Sequence, residues 1–154
     1  MHNQSTQWAT PTAALAATGA GGLAMALVAI LLPADPAGRF LIGLAALGLL
    51  VVTALGLRQR PRLAIRDDNR GITVQRLRGR LDVDRTELSR VRIVRYPRFG
   101  RRVPMLEIDV RPPGSDDDTL LIFGRWDLGT DPTTVFESLN SRGLVPPDRR
   151  PTTP

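Results

Sequence analysis

The sequence predicts a membrane α-helical hairpin followed by a small β-rich domain, and three observations carry that reading. Residues 1–57 contain one acid, Asp35, and one arginine, Arg39. Two long uncharged apolar stretches fill most of that region. After Arg62 the continuous apolar pattern gives way to short runs separated by turn residues, which is how strands are written.

The first span is placed at residues 11–32, Pro11 to Leu32, where no side chain is charged. At ~1.5 Å per residue this stretch crosses a hydrocarbon layer ~30 Å thick. The second span, residues 40–57, is uncharged from Phe40 to Leu57 and stops at Arg58, Arg60 and Arg62. Between them, residues 33–39 hold Pro33, Asp35, Pro36, Gly38 and Arg39, the composition of a tight reversal outside the bilayer. Small residues at Ala17, Gly21, Ala20, Ala24, Gly43 and Gly48 are candidates for close helix approach, with an alanine-rich composition as the alternative. Neither span holds an ionisable residue, which argues against a proton relay or transport pathway. Residues 1–10 contain no arginine, whereas four lie between Arg58 and Arg66. By the positive-inside rule both termini are cytoplasmic, giving a multi-pass protein of the inner (cytoplasmic) membrane. Trp8 reads as an interfacial anchor on that side.

Residues 58–145 form the cytoplasmic domain. Strands are expected at Leu63–Arg66, Ile72–Gln75, Arg80–Val83, around Val91 and Ile93, at Leu106–Val110 and at Leu120–Phe123. Glu107 and Asp109 face away from the apolar set Leu106, Ile108 and Val110. Asp131 caps a closing helix with Pro132 in its first turn, Val135, Phe136 and Leu139 on one face, and Gly143 and Leu144 at its end. Trp126 is expected to cover the end of the sheet or the helix. The proline-rich residues 146–154 read as a disordered tail.

Composition removes several functions. There is no cysteine, so no disulfide, thiolate nucleophile or iron–sulfur site, and the only histidine is His2. Asp116, Asp117 and Asp118 read as a solvated turn, and Asp82 with Asp84 as surface charge. The chain is therefore read as not an enzyme, with no cofactor, metal, small-molecule substrate or nucleic acid predicted.

The order and spacing of several motifs resemble small actinobacterial membrane proteins with a bacterial pleckstrin-homology-like (PH-like) domain, similar to those named low molecular weight protein antigen 6. The resemblance rests on the two spans followed by Arg70-Gly71-Ile72-Thr73-Val74, then Gly79-Arg80, Val83, Leu88 and Val91-Arg92-Ile93, and later Gly124-Arg125, Leu128-Gly129 and Asp131-Pro132. One departure is Asp84, where such domains often carry tryptophan. It implies a bent antiparallel sheet or partly open barrel capped by a C-terminal helix, used for recognition.

All 21 basic residues are arginine. Residues 58–102 hold fifteen arginines against five acids, a balance of +10, and residues 103–154 five against nine, a balance of −4. Candidate lipid or partner contacts are Arg58, Arg60 and Arg62 beside the membrane and the cluster Arg95, Tyr96, Arg98, Phe99, Arg101 and Arg102. Guanidinium groups hold phosphate oxygens bidentately while aromatic rings rest at the interface, although a merely solvated hairpin has the same composition. Arg76, Arg78 and Arg80 form a second candidate at period-two spacing, set against an exposed face balanced by Asp82, Asp84 and Glu87. The expected function is a membrane-anchored PH-like recognition module that binds another envelope or membrane protein with its basic face against anionic lipid. The alternative is a structural assembly factor acting through the transmembrane hairpin.

Overall fold

The computed structural model describes residues 7–32, 35–98, 100–112, 114 and 118–147, arranged as two compact units: Thr10–Arg60, and Met1–Ala9 together with Pro61–Pro154. Phe99, Asp116, Asp117, His2, the Pro33 part of the expected turn and most of the expected tail lie outside the described residues.

The first unit is a pair of helices, α1 (Thr12–Leu31) and α2 (Pro36–Arg58), both long and apolar enough to cross a membrane. The second begins earlier than its uncharged stretch, because Asp35 accepts the Gly38 amide at 2.9 Å and Pro36 suits a first helical position. Arg39 therefore sits in the first turn of α2 rather than in the loop. Leu23, Leu27, Ile30, Phe40, Leu41 and Leu47 are exposed, a surface suited to lipid rather than water. The glycines that bring the helices together are not those expected. A Cβ at Gly21, Gly43 or Gly48 would meet nothing within 4 Å, whereas one at Gly22 would lie 3.0 Å from the Leu50 side chain and one at Gly56 2.5 Å from Leu15. Helical phase, which composition does not carry, selects the contact face. Thr18 and Thr53 donate to the carbonyls of Ala14 and Leu49, so their hydroxyls are satisfied within their own helices.

The second unit holds two antiparallel sheets that do not close into a barrel. One has the order β1 (Gln7–Trp8), β2 (Leu63–Ile65), β3 (Gly71–Arg76), β4 (Gly79–Asp84). The other has the order β5 (Leu88–Arg98), β6 (Arg101–Val110), β7 (Thr119–Phe123). A short helix α3 (Arg125–Leu128) follows β7, and α4 (Pro132–Ser141) packs on β5 and β6. Alternation decides which residues go inward. Leu63, Ile72, Val74, Val83, Leu106, Ile108 and Phe123 share one core with Val135, Leu139 and Leu144 from α4 and the chain after it. Asp131 caps α4 by accepting the Thr133 amide at 2.9 Å, and Gly143 at φ +68° lets Leu144 return into the core.

Both tryptophans depart from expectation. Trp8 is only 6% exposed and belongs to the core, because β1 pairs Trp8 with Leu63 and its carbonyl accepts the Arg62 amide at 2.9 Å. It is a core residue of the domain rather than an interfacial anchor. Trp126, expected as a cover, is 60% exposed, and Leu128 two positions later takes the buried place. Arg76, Arg78 and Arg80 do not share one strand, since Arg76 ends β3, Arg78 lies in the turn and Arg80 enters β4.

Candidate functional site

Register gathers Arg76, Arg78 and the arginines of the β5–β6 hairpin at one end of the domain. Trp8 pairs with Leu63, Leu63 with Val74 and Val74 with Leu81, so the β3–β4 turn lies at the end of the sheet where the chain leaves β1 and enters β2. That turn exposes Leu77 between Arg76 and Arg78. Arg76 shares the core-facing side with Ile72 and Val74, and its Nη2 is buried with no hydrogen-bond partner among the described residues. Such a donor favours an incoming acceptor, because leaving it unpaired is costly.

The second sheet reaches the same end. Arg62 bridges to Asp127 of α3 at 3.1 Å, and α3 directly follows the last β7 pairing, Leu106 with Phe123. From that level the β5–β6 hairpin runs on for five more pairs, Val94 with Met105 through Arg98 with Arg101, about 16 Å at the usual rise of a strand. Pro104 is tolerated in β6 because it lies in this protruding part, past the end of β7. In the reversal Gly100 stands at φ +75°, a left-handed conformation that other residues adopt at a cost. Arg95, Arg98, Arg101 and Arg102 are exposed on this projection, and none has a carboxylate partner among the described residues.

The other candidates have local duties. Arg58 ends α2 and is exposed, and Arg60 donates to the Thr12 hydroxyl at 3.1 Å within the helical unit. Arg62 is half-buried against Asp127. Arg80 is engaged with Asp82 and Thr73, which leaves it a sheet-face residue. Asp82 is held below the usual carboxylate range by the Thr73 hydroxyl and by Arg80. Asp118 is likewise lowered, first by Arg111 and then by Ser89. Asp84 bridges to Arg66 at 2.7 Å, so it is tied into the corner between the sheets.

Tyr96 has a function that the sequence did not disclose. Its hydroxyl donates to Glu107, which also takes Arg92 at 2.7 Å. Glu107 faces away from the core, as its alternation requires, yet it is 2% exposed because Arg92 and Tyr96 close over it. Burial pushes the Glu107 carboxyl up, but the Tyr96 hydroxyl and Arg92 outweigh burial and hold it below its ordinary value. The same bond raises the Tyr96 phenol. This triad braces the base of the projecting hairpin.

At the opposite end, where the β2–β3 turn meets the corner between β4 and β5, Arg66, Asn69, Arg70, Asp84 and Arg85 line an open cleft of about 500 Å³. Arg66 is committed to Asp68 and Asp84 there. The guanidinium groups of Arg70 and Arg85 have no carboxylate partner among the described residues, although the Arg70 amide donates to Asp68 at 2.9 Å.

A bacterial PH domain family model matches residues 60–144, which covers the strands from β2 onward, α3 and α4. Two uncharacterised proteins of Mycobacterium tuberculosis, from strains CDC 1551 and H37Rv, are each 41% identical over 145 residues, 92% of this chain and 96% of the relative. That similarity takes in the two apolar helices as well as the domain. No solved structure matches the chain. With two unclosed antiparallel sheets, a C-terminal helix docked in their core and a family match over more than half its length, the chain belongs to the bacterial PH domain family.

Proposed function

We propose that this protein is a membrane-anchored recognition module. Its helices span the inner membrane with both ends cytoplasmic, the arginine-rich end of its domain lies against anionic headgroups, and the opposite end is offered to another membrane or envelope protein. The observation that carries this reading is the β5–β6 projection. It holds Arg95, Arg98, Arg101 and Arg102 free of carboxylates among the described residues, on the side of the domain from which the chain leaves for the helices. Headgroup attraction of ~1 kcal/mol per arginine within a Debye length makes this the favoured neighbour of an anionic surface. Pairing of β1 with β2 supports the shared side of both helix ends, since the residues before α1 and after α2 build one sheet. Arg70 and Arg85 in the far cleft suit a carboxylate-bearing partner segment. The reading is non-catalytic, supported by the absence of cysteine and of any internal histidine.

The test is sedimentation with vesicles rich in phosphatidylglycerol or cardiolipin. It uses a soluble form in which residues 10–60 are replaced by a short linker joining β1 to β2. Salt-sensitive binding that falls at least tenfold when Arg95, Arg98, Arg101 and Arg102 all become glutamine is expected. Equal binding by parent and variant refutes the lipid contact. Membrane crosslinking separates this reading from an assembly factor acting through the hairpin, because only the latter loses its partner when the helices are exchanged for unrelated spans.

A further inference from the structure

We propose that two copies of this chain associate through β7, whose free edge pairs antiparallel with the β7 edge of the second copy. The inference stands on the edges of the two sheets, independently of lipid contact.

Among the described residues the sheets present four outer edges, and they differ in how they resist pairing. The first edge, β1, is two residues long. On β4, Arg80, Asp82 and Asp84 alternate along the strand, and β5 carries Pro97 and several arginines. Short length, charge and proline are the usual protections of an exposed edge. β7 has none of them: it reads Thr119-Leu120-Leu121-Ile122-Phe123 and, among the described residues, pairs on one side only, with β6. Phe123 is buried in the core, while Leu120 and Ile122 face outward, 49% and 43% exposed. Trp126, in the short helix α3 that follows the strand, is 60% exposed.

A second copy fits this edge because the strand is self-complementary when reversed. Asp118 precedes β7 and Arg125 follows it, so two-fold pairing brings the acidic start of each strand toward the basic end of the other. Arg125 has no ion-pair partner among the described residues, whereas Asp118 already holds Arg111 at 2.7 Å. Parity restricts the register to steps of two, since a one-residue slip would set outward side chains against inward ones, and of these the centred register pairs the most residues. With Leu121 on the two-fold axis, all five residues pair and Leu120 meets Ile122 of the second copy. The two three-stranded sheets then become one of six strands, an isologous interface. Confinement of both chains to one membrane raises their effective concentration and lets a short interface suffice.

The absence of cysteine makes the test direct. Two differently tagged full-length chains, Leu120→Cys and Ile122→Cys, are co-expressed, and isolated membranes are oxidised. The expected result is a mixed disulfide several-fold more abundant than either homodimer and than the pair formed with an Arg80→Cys chain on the β4 edge. Absence of that band, or equal crosslinking from Arg80→Cys, overturns the proposal. In nanodiscs the parent chain is expected as a dimer and Ile122→Lys as a monomer with unchanged circular dichroism. A parent that is monomeric yet shields a cysteine at position 120 from maleimide has another occupant on β7, and this outcome also overturns the two-copy interface.

Discussion

Replacing Trp8 with alanine tests whether nine residues ahead of the first helix belong to the domain that follows the second. Trp8 is 6% exposed, so its ring loses almost all contact with water on folding. A tryptophan buries roughly 200 Å², which at ~25 cal/mol per Å² gives about 5 kcal/mol as an upper figure, and core Trp→Ala changes cost ~3–5 kcal/mol. A domain of this size has roughly 5–14 kcal/mol of stability in total, so a third or more of it is at stake. The soluble form with β1 joined to β2 is unfolded in urea and followed by circular dichroism. With an m-value of ~1.5 kcal/mol/M, the midpoint of Trp8→Ala is expected to fall by about 2–3 M, and removal of residues 1–9 to do at least as much. A shift below about 0.5 M with unchanged m-value would return Trp8 to the role of an interfacial anchor and refute the reasoning. Fluorescence gives an independent check. In a Trp126→Phe background, emission from Trp8 is expected to be blue-shifted in the folded state and to move red on unfolding.

Trp126→Ala, at a position 60% exposed, is expected to change the same midpoint by less than about 0.5 M, so the two tryptophans separate cleanly. Glu107 has its carboxyl lowered from an ordinary value near 4.5, so its contribution is complete above that pH and is lost as pH falls through the lowered value. Urea midpoints measured from pH 6 to pH 3 are expected to drop more steeply for the parent than for Glu107→Gln; parallel curves would remove Glu107 from the account. Leu139→Ala, at a fully buried position of α4, is expected to cost ~3 kcal/mol, more than Phe136→Ala at a partly buried one. Gly22→Leu and Gly56→Leu are expected to separate α1 from α2, whereas Gly21→Leu and Gly48→Leu leave them together; crosslinking between cysteines placed on the two helices reads the difference.

Much of the fold was legible because local patterns coincide with the final arrangement. Ile72 and Val74, or Leu106, Ile108 and Val110, alternate because one face of each strand meets the core. Asp131, Pro132 and Gly143 mark the ends of α4 by backbone chemistry that needs no tertiary partner. β1 was not legible, since two residues carry no period and their partner lies beyond both helices. The basic cluster around Arg98 was visible as composition, but its projection past β7 depends on where β7 stops pairing, which no local signal announces. Alternation assigns Glu107 to the correct face but does not carry its burial. Its burial arises from Arg92 and Tyr96, which belong to the neighbouring strand.

If both helices span a membrane as proposed, strand β1 makes the domain a check on its own insertion. During synthesis Trp8 emerges first and has nothing to pair with until β2 and β3 have followed the helices out of the ribosome. A chain that inserted one helix and not the other would leave Trp8 and Leu63 on opposite faces of the bilayer. The sheet would then lack its first strand, and the core a large aromatic side chain. Such a molecule exposes apolar surface and is open to proteolysis, while a correctly threaded one is sealed. In the proposed two-span topology, an error of threading would in this way become a folding defect of the domain.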